Sequence, residues 1–103
     1  MIREATKNDI PFIVKEGIKF LKYHPAKISD GLDVEYLCEL ANELIEGHVV
    51  LIAEKDGNPI GMIAGQITPV VFNPNCLILQ ELFWWMKEDH RNSLIAFKLY
   101  DAF

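Results

Sequence analysis

The last quarter of the sequence places the strongest restriction on the fold. An apolar run at residues 76–86 leads into a short polar segment that contains Arg91, and apolar residues then recur at helical spacing up to Phe103. This pattern predicts a β-strand, a tight turn and an amphipathic α-helix. Because the first N–H groups of a helix have no intrahelical acceptors, such a turn can bind a phosphate or another anion.

Composition indicates one globular domain and excludes two classes of partner. The chain has 103 residues, of which 50% are hydrophobic and 24% are charged, which is typical of a domain with a modest core. The formal net charge is -5 and no basic stripe is present, so we expect no nucleic-acid partner. No apolar run approaches the roughly 20 residues of a membrane span, and the amino terminus lacks the apolar core of a signal peptide. We therefore expect no membrane partner.

The cysteines and histidines show no spacing that suggests a metal site. Cys38 and Cys76 are far apart in the sequence, and the three histidines are isolated from one another. The cysteines are best interpreted as small residues in a reducing compartment. We therefore predict no bound metal and a cytoplasmic location.

The amino-terminal half predicts a short strand followed by two helices. Residues 2–5 form the strand, and Thr6 or Asp9 can cap a helix that ends near Tyr23, since a proline follows two residues later. Residues 26–32 form a loop. A second helix follows, with Asp33 as its cap and Gly47 at its end.

The remaining sequence predicts an antiparallel run of strands. Residues 48–53 form a strand, residues 55–58 form a hairpin turn, and residues 59–68 form the returning strand. Residues 69–75, with two prolines, are expected to be a loop. The strand at 76–86 is almost entirely apolar, which favours cover on both of its faces. The predicted order is β-α-α-β-β-β-α, an α/β or α+β sheet with helices on its faces.

Three segments resemble the N-terminal part of a GNAT-superfamily N-acetyltransferase. They are the opening strand and helix start at 2–10, the hairpin at 49–61, and the strand, turn and helix at 81–96. The resemblance covers the whole chain and implies a mixed, mostly antiparallel sheet with helices on both faces. Domains of this family continue with another strand, a helix and usually two more strands. We therefore expect residues 1–103 to be a single GNAT-like domain that is incomplete at its carboxyl terminus.

The third segment is similar to the acetyl-CoA motif of the family, Arg/Gln-x-x-Gly-x-Gly/Ala. Arg91 takes the first position, Leu94 stands where glycine is usual, and Ala96 satisfies the last position. In the family, backbone amides of this loop hold the pyrophosphate of acetyl-CoA, and the preceding strand binds the pantetheine arm. The resemblance thus implies that the coenzyme is bound by Trp85, Met86, Lys87, Arg91, Asn92, Ser93, Leu94, Ile95 and Ala96. Because glycine permits close approach, the Leu94 side chain must point away from the phosphates.

The resemblance implies acetyl transfer from acetyl-CoA to the primary amine of a small molecule or peptide. Glu81 is the candidate general base, because partial burial would raise its pKa and only the neutral amine attacks the thioester. Alternatively, Glu81 forms an ion pair or lies at an exposed strand edge. The aromatic run at 83–85 is expected to be core packing, although one ring could line a substrate pocket.

Two other functions remain open at this point. The strand at 76–86 could present an unpaired edge, which would make the chain a non-catalytic module that forms a homodimer or binds another partner. The turn could also bind an anion or a nucleotide without any acetyl transfer.

Overall fold

The computed structural model describes residues 1–23 and 31–103. The structure confirms the predicted order of helices and strands; the predicted loop at 26–32 lies mostly outside the described residues. The elements are β1 (Ile2–Glu4), α1 (Ile10–Tyr23), α2 (Val34–Gly47), β2 (Val49–Lys55), β3 (Asn58–Val70), β4 (Asn73–Met86) and α3 (Leu94–Ala102). Short 3-10 turns at Lys7–Asp9 and Glu88–His90 precede α1 and α3.

The four strands form one antiparallel sheet in the order β1-β2-β3-β4. Asp56 and Gly57 connect β2 to β3, with φ angles of 54° and 79°. Positive φ at both central residues is typical of the type I′ turn, whose twist matches that of the flanking strands. The hairpin predicted at 55–58 is therefore confirmed.

Helices cover both faces of the sheet, as predicted. The first face packs against α1 and α2 and contributes Val50, Ile52, Met62, Ala64 and Trp85 to a core with Ile13, Ala41 and Leu44. The second face packs against α3 and contributes Ala53, Ile60, Ile63 and Met86 to a core with Ala96 and Leu99. Because successive side chains of a strand point to opposite faces, each strand can serve both cores.

An ion-pair network fixes the start of α1 to the sheet. The Arg3 guanidinium donates hydrogen bonds to both oxygens of Asp9, each 2.7 Å long, and its Nε donates to Glu54 Oε1 at 2.6 Å. The Thr6 amide also donates to Asp9, at 2.7 Å. Asp9 is buried, and the hydrogen bonds from Arg3 hold the pKa of its carboxyl below the ordinary value. The network ties β1, β2 and the turn before α1 together.

The connection between β3 and β4 differs from the prediction. Instead of a loop at 69–75, only Val71 and Phe72 separate the strands. Pro69 and Pro74 lie within β3 and β4, each two residues from this tip, where a missing N–H disturbs few ladder hydrogen bonds. The sequence signal for a loop is the pair of prolines, and it is misleading because prolines are tolerated near strand ends.

The prediction that residues 76–86 are covered on both faces is also wrong. Leu77, Ile78, Leu79 and Leu82 are exposed, and only Trp85 and Met86 are buried in β4. The helices of the described residues pack against the second half of this strand, so its first half extends beyond them. The apolar sequence therefore produces an exposed apolar ribbon.

No helix among the described residues has the length and apolar character needed to span a bilayer. A cytoplasmic location stays a prediction.

Candidate functional site

The carboxyl end of β4 directs backbone groups to the outer edge of the sheet, which no strand of residues 1–23 and 31–103 covers; we call it the open edge. The Lys87 amide donates to Ile60 O at 2.8 Å, which continues the ladder with β3. Hydrogen-bonded pairs alternate along an antiparallel ladder, so Trp84 and Met86 direct their N–H and C=O groups away from β3. The Lys87 amide, which the sequence placed in the coenzyme site, is therefore already occupied. Met86 is the residue of the predicted set whose main chain faces the open side.

A β-bulge precedes this end of the strand. Phe83 pairs with Ala64 and Glu81 pairs with Gly65, so Leu82 is the extra residue on β4. Glu81 is exposed, and its position opposite Gly65 places it on the face that carries α3. The partial burial predicted for Glu81 is not found. The structure instead agrees with the alternative that Glu81 lies at an exposed strand edge.

The turn after β4 ends in a well-formed helix start. Ser93 is the cap of α3: its Oγ accepts from the Ala96 amide at 3.4 Å and donates to His90 O at 2.6 Å. Asn92 adopts a left-handed conformation with φ of 61°. The amides of Leu94 and Ile95, in the first turn of α3, have no intrahelical acceptor. The Leu94 side chain is 70% exposed and extends into solvent.

The charges at this turn are mixed. Lys87 and Arg91 are accompanied by Glu88 and Asp89, and both carboxylates are exposed. A bound anion would gain from the helix dipole and the two cations but would be opposed by these carboxylates. All four side chains are at or near the surface, so salt screens both effects.

An aromatic cavity of about 570 Å³ lies between the end of α1, the end of β4 and the start of α3. Its lining residues are Phe20, Tyr23, Trp84, Trp85, Met86, Arg91, Asn92, Ala96 and Phe97. The Arg91 guanidinium lies 4.3 Å from the centroid of Trp85 and 5.4 Å from that of Tyr23. Arg91 Nε donates to Met86 O at 3.1 Å. The Arg91 side chain thus occupies the Met86 carbonyl, one of the backbone acceptors that face the open edge.

A buried carboxyl group forms a hydrogen bond with Trp85, one of the residues that line this cavity. Glu16 on α1 is 1% exposed, and its Oε1 accepts from Trp85 Nε1 at 3.1 Å. Its Oε2 lies 3.2 Å from the Lys19 ammonium. Glu16 is not among the residues predicted from the sequence. The available signal was its place on the apolar stripe of α1, three residues after Ile13 and four before Phe20.

The predicted site residues therefore fall into two neighbouring groups. Trp85, Met86, Arg91 and Asn92 line the aromatic cavity, whereas Ser93 to Ala96 form the cap and first turn of α3. Lys87 belongs to neither group, because its amide pairs with β3. Ala96 contributes to both, because its side chain lines the cavity. Glu81 lies further back along β4, on the amino-terminal side of the bulge.

Comparison with known proteins gives matches among solved structures. No protein-family model matches the chain, and no curated protein sequence matches it. The structure of a possible acetyltransferase from Clostridium difficile 630 matches 99% of this chain, with 17% identity and a TM-score of 0.82. A predicted acetyltransferase with acetyl-CoA from Clostridium acetobutylicum also matches 99% of the chain, with 20% identity and a TM-score of 0.73.

A third match has a bound aminoglycoside. It is an aminoglycoside acetyltransferase from an uncultured soil metagenomic sample in complex with sisomicin, with 18% identity and a TM-score of 0.71 over 99% of this chain. The chain covers 66%, 69% and 65% of the three matched chains, or about two thirds of their length. At these identities the similarity establishes the fold alone: the chain has a GNAT-like fold.

Proposed function

We propose that the chain is a GNAT-type domain that transfers an acetyl group from acetyl-CoA to the primary amine of a small molecule or peptide. The observation that carries the proposal is the open edge of β4 leading into the start of α3, within a fold shared with acetyltransferases over 99% of the chain. A matched acetyltransferase with acetyl-CoA and another with sisomicin support the coenzyme and the amine acceptor.

The chain offers two sets of groups that fit acetyl-CoA. The first-turn amides of α3 can donate hydrogen bonds to a diphosphate, and the exposed Leu94 side chain leaves those amides accessible. The Met86 carbonyl at the open edge can accept a hydrogen bond from the amide-rich arm of the coenzyme. Arg91 must first release that carbonyl. Acetyl-CoA supplies the activated acetyl thioester when bound.

Glu81 is the proposed general base. An amine is protonated near neutral pH, and only the deprotonated nitrogen has the lone pair that attacks the acetyl carbonyl carbon. Glu81 is solvent-exposed, so it can accept the ammonium proton directly or through a water molecule. Backbone N–H groups at the open edge would orient the carbonyl. As the N–C bond forms the C–S bond breaks, and the coenzyme leaves as a thiolate that takes up the second proton lost by the amine nitrogen.

Calorimetric titration with acetyl-CoA, CoA and ATP tests the proposal. We expect acetyl-CoA and CoA to bind with similar affinity and ATP to bind more weakly, because ATP lacks the arm that contacts β4. Equal binding of ATP and acetyl-CoA would instead indicate a general anion or nucleotide site. If no heat is detected with millimolar acetyl-CoA, the 103-residue chain is not an acetyltransferase by itself.

The exposed ribbon favours a second candidate function, self-association. No strand of the described residues pairs with the outer edge of β4, and apolar side chains are exposed on both of its faces, Leu77 and Leu79 on one and Ile78 and Leu82 on the other. Two copies could pair these edges antiparallel around a two-fold axis. Light scattering after size exclusion tests this: the second candidate predicts a dimer that Ile78→Lys converts to a monomer. A monomeric wild-type chain at high concentration would eliminate it.

A further inference from the structure

The aromatic cavity contains a cation that has no acidic partner among the described residues. None of the ion pairs within residues 1–23 and 31–103 includes Arg91. Its guanidinium contacts the faces of Trp85 and Tyr23, and its Nε donates to the Met86 carbonyl. The positive charge in the cavity is therefore stabilised by aromatic ring faces and one neutral carbonyl. Proteins use the same cation–π interaction to recognise organic cations.

The walls of the cavity form a cage. The Tyr23 and Trp85 ring centroids are 5.6 Å apart with an interplanar angle of 47°, and Phe20 meets Trp85 edge-on at 5.9 Å. Three rings inclined to one another present more than one face to a central group. Tyr23 is 68% exposed, so one side of the cage is open to solvent.

Glu16 fixes the Trp85 ring at the base of the cage and increases the negative charge of its face. Burial of a carboxyl group is costly unless it is paired, and Glu16, which is 1% exposed, has a partner for each oxygen: Trp85 Nε1 donates to Oε1, and the Lys19 ammonium lies 3.2 Å from Oε2. The bond from Trp85 Nε1 to Oε1 locks the plane of the indole. A carboxylate that accepts from the N–H also polarises the ring and makes its face more negative. Both effects strengthen the attraction of a cation over Trp85.

We propose that this cage is a binding site for the guanidinium or alkylammonium group of an external ligand, and that Arg91 is the resident group which the ligand replaces. When the ligand binds, Arg91 loses its cation–π interactions with the rings and the ligand gains equivalent ones. The free energy lost and the free energy gained are therefore nearly equal. The ligand must then compete with the effective concentration of the tethered side chain, on the order of millimolar. Competition from Arg91 therefore lowers the apparent affinity of the site for the ligand.

One extension rests on the proposed function. If the chain acetylates an amine, the caged group is a positively charged part of the acceptor other than the nitrogen that reacts, because a caged ammonium keeps its proton. The acceptor class is then a molecule with two or more cationic groups. Cation binding itself needs no acetyl-CoA, so the test below is independent of acetyl transfer.

The test follows the Trp85 indole N–H signal of nitrogen-15-labelled protein by NMR, assigned with the help of Trp84→Phe. N-propylguanidinium reproduces the end of the Arg91 side chain, and N-propylurea is its neutral counterpart of similar shape. In Arg91→Ala we expect a saturable shift of the Trp85 signal with millimolar N-propylguanidinium and none with N-propylurea. The wild type should need roughly ten-fold more ligand, because Arg91 competes.

Lys98→Ala is the matched control, since it removes an exposed cation of α3 that does not line the cavity. It should respond as the wild type does. Arg91→Met keeps the aliphatic stem of the side chain and takes the place of Arg91→Ala should the alanine variant fail to fold. In the Arg91→Ala background, Glu16→Gln should weaken cation binding several-fold, because the amide retains the hydrogen bond but loses the charge.

Two results would overturn the proposal. One is a lack of any saturable shift with N-propylguanidinium in the Arg91 variants. The other is an equal shift with N-propylurea, which would show an apolar pocket with no preference for charge. Failure of the acetyl-CoA titration would leave this result unchanged, and the two proposals can therefore fail separately.

Discussion

Replacement of Leu94 by proline probes the proposed diphosphate site with little disturbance to the fold. Leu94 is the first residue of α3, and its side chain is 70% exposed. Proline is well tolerated at this helix position because the amide there has no intrahelical acceptor. Ser93 has φ of -90° and ψ of 161°, the extended conformation required before proline. Leu94→Pro therefore deletes one amide donor and leaves the helix start intact.

The expected loss follows from one hydrogen bond to a charged group. Such a bond contributes about 1.5–3 kcal/mol, which corresponds to an affinity for acetyl-CoA lower by about 10-fold to 150-fold. Leu94→Ala is the matched control, because it removes the same side chain but retains the N–H. We expect Leu94→Ala to bind acetyl-CoA as tightly as the wild type.

Calorimetric titration of the three proteins with acetyl-CoA measures the difference, and thermal unfolding verifies that Leu94→Pro is folded. Equal affinities for Leu94→Pro and Leu94→Ala, with the wild type binding, would refute the claim that the first amide of α3 contacts the coenzyme.

Three further predictions concern catalysis and stability. Glu81→Gln should lower kcat for acetyl transfer by about 100-fold, as expected for loss of a general base, whereas exposed Glu43→Gln on α2 should leave it unchanged; equal rates for the two variants would exclude Glu81 as the base. Asp9→Asn should lower the free energy of unfolding by about 3 kcal/mol near pH 7, because the buried partner of Arg3 loses its charge. The pKa of Asp9 is lowered in the folded state, so its stabilisation is complete above the unfolded pKa of about 3.9 and is lost as the pH falls through the folded pKa. In urea denaturation, the free energies of unfolding of the wild type and Asp9→Asn should therefore converge below about pH 4. A difference that does not change with pH would contradict this linkage. Leu99→Ala removes a side chain that is 0% exposed and should destabilise by about 3 kcal/mol in the same assay; a change below about 0.5 kcal/mol would show that α3 does not need this contact.

Local chemistry explains what the sequence predicted well. Asp33 caps α2 through its own side chain, which accepts a hydrogen bond from the Tyr36 amide at 3.1 Å. The cap involves only residues 33–36, so the local sequence is enough to predict it. Asp56 and Gly57 specify their turn because few other residues adopt positive φ so readily. The buried stripe of α3 follows from the spacing of Ala96 and Leu99. These features depend on neighbours in the sequence.

The features that the sequence did not predict depend on distant partners. Leu77 and Ile78 are as apolar as core residues, but they are exposed because the helices do not extend over the first half of β4. The sequence of the strand alone does not show how far the helices extend. Glu16 finds the indole N–H of Trp85 across 69 positions of the chain. The motif identifies Arg91, but the turn of its side chain toward Trp85 and Met86 depends on the geometry of the cavity.

Mapping acetyl-CoA onto backbone amide signals by NMR is the most direct test of the account. We predict that the largest, saturable shifts belong to residues 92–96 and to Met86, with the Arg91 side-chain signal moving as it releases the Met86 carbonyl. Shifts confined to another part of the sheet, or none at millimolar acetyl-CoA, would contradict the assignment of this strand, turn and helix as the coenzyme site.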